Sequence, residues 1–83
     1  DMHFVYVLKS KRDSRHYIGV TADLARRVED HNAGKVSSTS GRRPFELIYF
    51  EEFEKKDIAE KRERFFKTGK GFDTLKNLLR LPR

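Results

Sequence analysis

The sequence predicts a small α/β sandwich: a three-stranded, mainly antiparallel sheet flanked by helices, in the order β-β-α-β-α-α. Three observations predict it. Two short apolar segments near the start are joined by a polar turn. Three later segments carry apolar residues at helical spacing, with cap or stop residues around them. A further strand-like run separates the first of these from the second. Eighty-three residues suit one small domain spanning 1–83.

His3 to Lys9 reads HFVYVLK, with Phe4, Tyr6 and Leu8 on one face and Val5 and Val7 on the other. Both faces are apolar or aromatic, which predicts a strand covered on both sides. Ser10 to Arg15 is polar and turn-like, and His16 to Val20 forms the second strand of a hairpin. Tyr17 and Gly19 share a face there, with Ile18 and Val20 on the other. Thr21 or Asp23 caps a helix running to about Asn32, and Gly34 is its stop signal. Leu24, Ala25 and Val28 make its buried stripe. Lys35 to Pro44 has no periodicity and reads as a loop. Phe45 to Glu51 is the third strand, and Lys55 to Lys67 the second helix, with Ile58, Ala59, Phe65 and Phe66 as its apolar face. Gly69 and Gly71 break the chain before a last helix from Asp73 to about Arg80.

Composition narrows the function. Hydrophobic residues make up 36% of the chain, with seven Phe and three Tyr, enough for a compact core. The net charge of +6 favours an anionic partner, most simply nucleic acid. The absence of cysteine rules out disulfides and a Cys-based zinc site and points to a cytoplasmic protein. No apolar run approaches the ~20 residues needed to span a bilayer, so no membrane partner is expected.

Several residues could carry chemistry. Gly19, inside a strand and beside Tyr17, would leave an open patch for a phosphate; alternatively Tyr17 simply fills core space. Arg27 and His31 are i, i+4 neighbours at the edge of the buried stripe, where core meets solvent. Arginine offers a planar fork of donors to phosphate oxygens, and histidine moves a proton near neutral pH. The plainer readings are a snorkelling arginine and a helix-terminal cation. Glu63 flanks the apolar face of the second helix, either as an oxygen ligand for Mg²⁺ or Mn²⁺ or as a salt-bridge partner of Lys67. Arg62 falls near the centre of that apolar stripe, where it would need a carboxylate partner or a route to the rim. Lys35, Arg42 and Arg43 lie in loops and would contact phosphates without reading sequence.

The ordered set of these segments resembles the GIY-YIG nuclease domain. Phe4-Val5-Tyr6 and Tyr17-Ile18-Gly19 stand for its two strand motifs, with Phe4 where the first motif has glycine. Leu24-Ala25-Arg26-Arg27, His31-Asn32, Gly41 to Tyr49 and Ala59-Glu60-Lys61-Arg62-Glu63 also match, so the likeness covers almost the whole chain. It is closest to short stand-alone bacterial members. The resemblance implies hydrolysis of DNA phosphodiesters with one divalent cation, Mg²⁺ or Mn²⁺. It implies Glu63 as metal ligand, Arg27 on the phosphate, Tyr6 and Tyr17 on the attacking water, and His31 in proton transfer. A structure-selective endonuclease of DNA repair or recombination follows as the leading expectation, and a non-catalytic nucleic-acid-binding module as the alternative. So short a chain has no room for a separate sequence-reading domain. Specificity would come from DNA shape, a protein partner or self-association.

Overall fold

The computed structural model describes residues 1–81. Strand β1 (His3–Ser10) lies at the centre of the sheet, between β2 (His16–Thr21) and β3 (Phe45–Phe53), and both pairings are antiparallel. Helix α1 (Leu24–Asn32) follows β2, while α2 (Lys56–Phe66) and α3 (Gly69–Arg80) follow β3. The predicted element order and the antiparallel sheet are therefore present, and a bulge shifts the β1–β3 register between Val7 and Leu8.

The two-sided pattern of β1 builds two cores. Val5 and Val7 pack with Ile18 and with Ala59, Phe66 and Leu75 of α2 and α3. Tyr6 and Leu8 pack on the other face with Phe45 and, from α1, Leu24 and Val28. Two positions depart from the predicted stripes: Ala25 is exposed, and Ile58 is 46% exposed. The buried side of the nine-residue α1 carries Leu24, Val28 and His31, and Ala25 falls outside it. Arg62 is resolved. It lies on the Phe66 ring, 4.4 Å from its centroid, and donates two hydrogen bonds of 2.8 and 3.1 Å to Glu51 on β3.

Asp23 is the cap of α1, accepting from the Arg26 N–H at 3.2 Å. Gly34 closes the helix with φ +78°, a conformation that favours glycine. The segment after it is not wholly irregular, since Ser40–Arg42 forms a single 3₁₀ turn.

The largest departure is at α3, which starts at Gly69 and runs through Gly71. Thr68 caps it by accepting from the Gly71 N–H at 3.0 Å. Gly71 is not a breaker: a Cβ there would lie 1.6 Å from the Phe65 carbonyl oxygen. Close approach to the end of α2, rather than chain reversal, requires glycine at this position.

Candidate active site

The β1–β2 register sets Tyr6 opposite Gly19 and Leu8 opposite Tyr17, so Tyr6, Gly19 and Tyr17 share the face covered by α1. The space above Gly19 is not an open patch for phosphate. The Tyr6 phenol fills it, and a Cβ on Gly19 would come within 2.5 Å of Tyr6 Oη. Glycine is needed here so that the phenol can lie across the neighbouring strand. Phe4 stays clear of this contact and meets Phe50 edge to face, with ring centroids 6.1 Å apart.

From α1, Arg27 Nε donates to Tyr6 Oη at 3.3 Å, and His31 Nε2 lies 2.9 Å from the same oxygen. The second His31 nitrogen, Nδ1, is 2.8 Å from Thr39 Oγ1. His31 is not at the core–solvent boundary: it is 0% exposed, as is Thr39, and Tyr6 is 1% exposed. Thr39 and the rings of Tyr6, Tyr17 and Phe45 surround the imidazole.

Burial fixes the direction of these bonds. Arg27 can only donate, so the Tyr6 oxygen accepts from it, and the buried phenol proton needs its own acceptor. His31 Nε2 is that acceptor. A neutral imidazole then carries its proton on Nδ1 and donates to Thr39 Oγ1, whose hydroxyl proton goes to the Val36 carbonyl at 3.3 Å. The charges agree. Burial, then the Arg27 charge, lowers the His31 pKa and keeps the ring neutral. Burial raises the Tyr6 pKa despite the opposing Arg27 hydrogen bond, so the resting phenol keeps its proton. The hydrogen bond to Tyr6 in turn raises the Arg27 pKa.

Tyr17 packs its ring 4.8 Å from the His31 ring and 6.2 Å from that of Tyr6, centroid to centroid, and is half-buried. Glu63 lies on α2, whose Ala59 and Phe66 pack on the Val5–Val7 face of the sheet. It accepts from Lys67 Nζ at 2.8 Å, the salt bridge that was one of its two sequence readings. Tyr6 is thus in contact with Tyr17, Arg27 and His31, and Tyr17 with His31.

The loop cations have other partners. Arg42 donates to Asp13 at 2.8 Å and lies over Phe45, clamping the hairpin turn to the start of β3. That pairing holds the Asp13 pKa down at about 2. Arg43 donates to the Ser40 carbonyl at 2.7 Å. Lys35, 4.0 Å from Asp30 and mostly exposed, is the loosest of the three and has the most freedom to reach a phosphate.

Two residues help build the site in roles the sequence did not show. Asn32 locks α1 to β3 by accepting from the Phe45 N–H at 2.7 Å and donating to its carbonyl at 3.1 Å. Thr39 lies in an aperiodic Ser/Thr run, and only the fold reveals it as the partner of His31. Thr39→Val is expected to cost about 1–3 kcal/mol in urea unfolding, because it strands a buried Nδ1–H, whereas Thr39→Ser costs less. Equal losses in the two variants would show that the hydroxyl does not hold the imidazole.

Among the described residues, no group of three or more His, Cys, Asp or Glu side chains could hold a metal. A divalent cation would have the single Glu63 carboxylate, which fits Mg²⁺ or Mn²⁺, ions that keep most of their waters.

Comparison with known proteins gives a consistent result. Residues 2–76 match the family described as the GIY-YIG catalytic domain. UPF0213 protein lwe0147 of Listeria welshimeri is 47% identical over 66 residues, covering 78% of this chain and 72% of that protein. A UPF0213 protein of Haloquadratum walsbyi is 41% identical over 69 residues, covering 82% of this chain and 76% of its own. The solution NMR structure of the UPF0213 protein BH0048 from Bacillus halodurans superposes with a TM-score of 0.59 at 34% identity, covering 94% of this chain and 85% of that one.

Proposed function

This chain belongs to the GIY-YIG family, and from that premise we propose that it is a metal-dependent endonuclease that hydrolyses DNA phosphodiesters by shape rather than sequence, in DNA repair or recombination in the cytoplasm. The observation that carries the reading is the buried Tyr6–His31 pair with Arg27 at its edge. A phenol with ordinary pKa ~10 is a poor base near neutrality. Tyr6 avoids that limit by passing its own proton to His31 Nε2 as it takes one from water, so no free phenolate accumulates.

Arg27 spends one of its five N–H donors on Tyr6, leaving four for the non-bridging oxygens of the scissile phosphate. Tyr17, half-buried beside the same imidazole, orients the attacking water. The water oxygen bonds to phosphorus, its proton moves to Tyr6, and the Tyr6 proton moves to His31. The P–O bond to the leaving oxygen breaks, that oxygen is protonated from solvent, and His31 returns its extra proton through Tyr6 to solvent. Lys35 steadies the flanking phosphate. Glu63 would hold the Mg²⁺ or Mn²⁺ once Lys67 lets go of it; when bound, that ion supplies positive charge for the phosphate and acidifies its own waters. A protein partner or self-association would add specificity.

A second reading, a nucleic-acid-binding module without turnover, is favoured by the 1% exposure of Tyr6 and by the Lys67 pairing of Glu63. Incubating supercoiled plasmid with the protein and Mg²⁺, Mn²⁺ or EDTA separates the two. Nicking is expected with either metal and is expected to disappear in EDTA and in Glu63→Ala. Salt-sensitive binding without nicking under any of these conditions would leave the module.

A further inference from the structure

An open groove of about 610 Å³ lies where the β1–β2 hairpin meets α3. Tyr17 forms one wall, and Arg15, His16, Lys67, Phe72 and Lys76 line the others. We infer that this groove takes one unpaired nucleotide of the DNA strand next to the scissile phosphate. The inference rests on the proposed function for the class of ligand, and on the groove itself for the rest.

Charge is the first argument. Three cations line the groove and none of its lining residues is acidic; Lys67 and Lys76 pair with Glu63 and Asp73, at 2.8 and 3.3 Å, while Arg15 is exposed. The second argument is an aromatic platform. The Phe72 ring meets His16 at 5.8 Å, with the rings steeply inclined, and carries the Lys76 ammonium 5.5 Å from its centroid. An aromatic ring with cations beside it is what a base and its phosphate require. Burial, then Lys9 and Arg42, lowers the His16 pKa, so His16 adds a neutral ring rather than a further charge.

Shape is the third argument. A concavity of this size is in the ~300–1,000 Å³ range of pockets that enclose one small ligand. It has room for a single splayed nucleotide.

Position is the fourth. Tyr17 belongs to both the groove and the phenol–imidazole cluster, so a strand with its phosphate at Arg27 continues into the groove. Lys67 links them as well, since it lines the groove and its ammonium bonds Glu63 at 2.8 Å. A nucleotide phosphate in the groove competes for Lys67 and releases the Glu63 carboxylate.

The test is fluorescence anisotropy in EDTA at fixed salt, with a short labelled single strand and the blunt duplex of the same sequence. Phe72→Leu is expected to weaken single-strand binding about tenfold. Arg15→Gln and Lys76→Gln are expected to weaken it severalfold more than Lys56→Gln, a charge-matched control on exposed α2 surface outside the groove. On the duplex, the three charge variants are expected to behave alike. Phe72 also packs against the core. If Phe72→Leu melts early, the two exposed cation variants carry the test. Single-strand affinities for Arg15→Gln and Lys76→Gln equal to that of Lys56→Gln would overturn the inference, even with metal-dependent nicking intact. Selective loss of single-strand binding in a protein that never nicks would uphold the groove and remove the hydrolytic reading instead.

Discussion

Arg27→Ala is expected to slow plasmid nicking by about 10²–10³-fold, the usual loss when one preorganised donor to a developing oxyanion is removed. The change does more than delete a charge. Arg27 Nε is also the donor that, with His31, fixes Tyr6 Oη in place. Without it the phenol keeps its imidazole acceptor, so the fold stays intact and the far-ultraviolet circular dichroism spectrum is expected to be unchanged. What is lost is the link between the phosphate and the proton-accepting pair. Arg27→Lys separates charge from geometry. An ammonium keeps the attraction to DNA but cannot hold Tyr6 and two phosphate oxygens at once, so binding is expected to recover while most of the rate remains missing. The check is the initial rate of supercoiled plasmid conversion at saturating Mg²⁺. A wild-type rate in Arg27→Ala would place the chemistry elsewhere.

The parts of this fold that depend on local periodicity were legible before any coordinates. Alternation in β1 is strict and apolar on both faces, so its cover on both sides followed from the sequence. Arg27 and His31 could be paired because i, i+4 spacing is a property of the helix alone. The contact between His31 and Tyr6 joins residues 25 positions apart and depends on how α1 settles on the sheet. No periodicity encodes that, and for the same reason Thr39 went unseen and His31 was expected nearer the solvent. The loop cations misled for another reason. Arg42 is positively charged, as a phosphate contact would be, yet its charge is taken up by Asp13. Composition counts cations without counting their partners. The open space read beside Tyr17 failed similarly, because a glycine reports that something comes close and not what does.

Gly71 states that lesson most sharply, and Gly71→Ala is expected to be the most destabilising small substitution in the chain. Alanine ordinarily favours a helix over glycine by about 1 kcal/mol, and at Gly69, where a Cβ meets nothing within 4 Å, Gly69→Ala is expected to stabilise by several tenths of a kcal/mol. Two positions further on the sign reverses. A Cβ on Gly71 would sit 1.6 Å from the Phe65 carbonyl oxygen and 2.4 Å from its carbon. Both atoms are backbone, so no rotamer change relieves the overlap, and α3 must lift off the end of α2. Leu75, fully buried one turn further on, would be drawn from the core it shares with Phe66 and Ala59. Overpacking of this kind costs about 3 kcal/mol or more, a large part of what a domain of this size has to lose. Thermal melts followed by circular dichroism are expected to show Gly71→Ala more than 10 °C below the parent, at about 4–8 °C per kcal/mol, with Gly69→Ala at or slightly above it. Coincident melts for the two variants would mean that α3 does not rest on the Phe65 carbonyl. Phe72 and Lys76, which depend on that seat, would then not be held against the hairpin, and the groove would have no fixed wall.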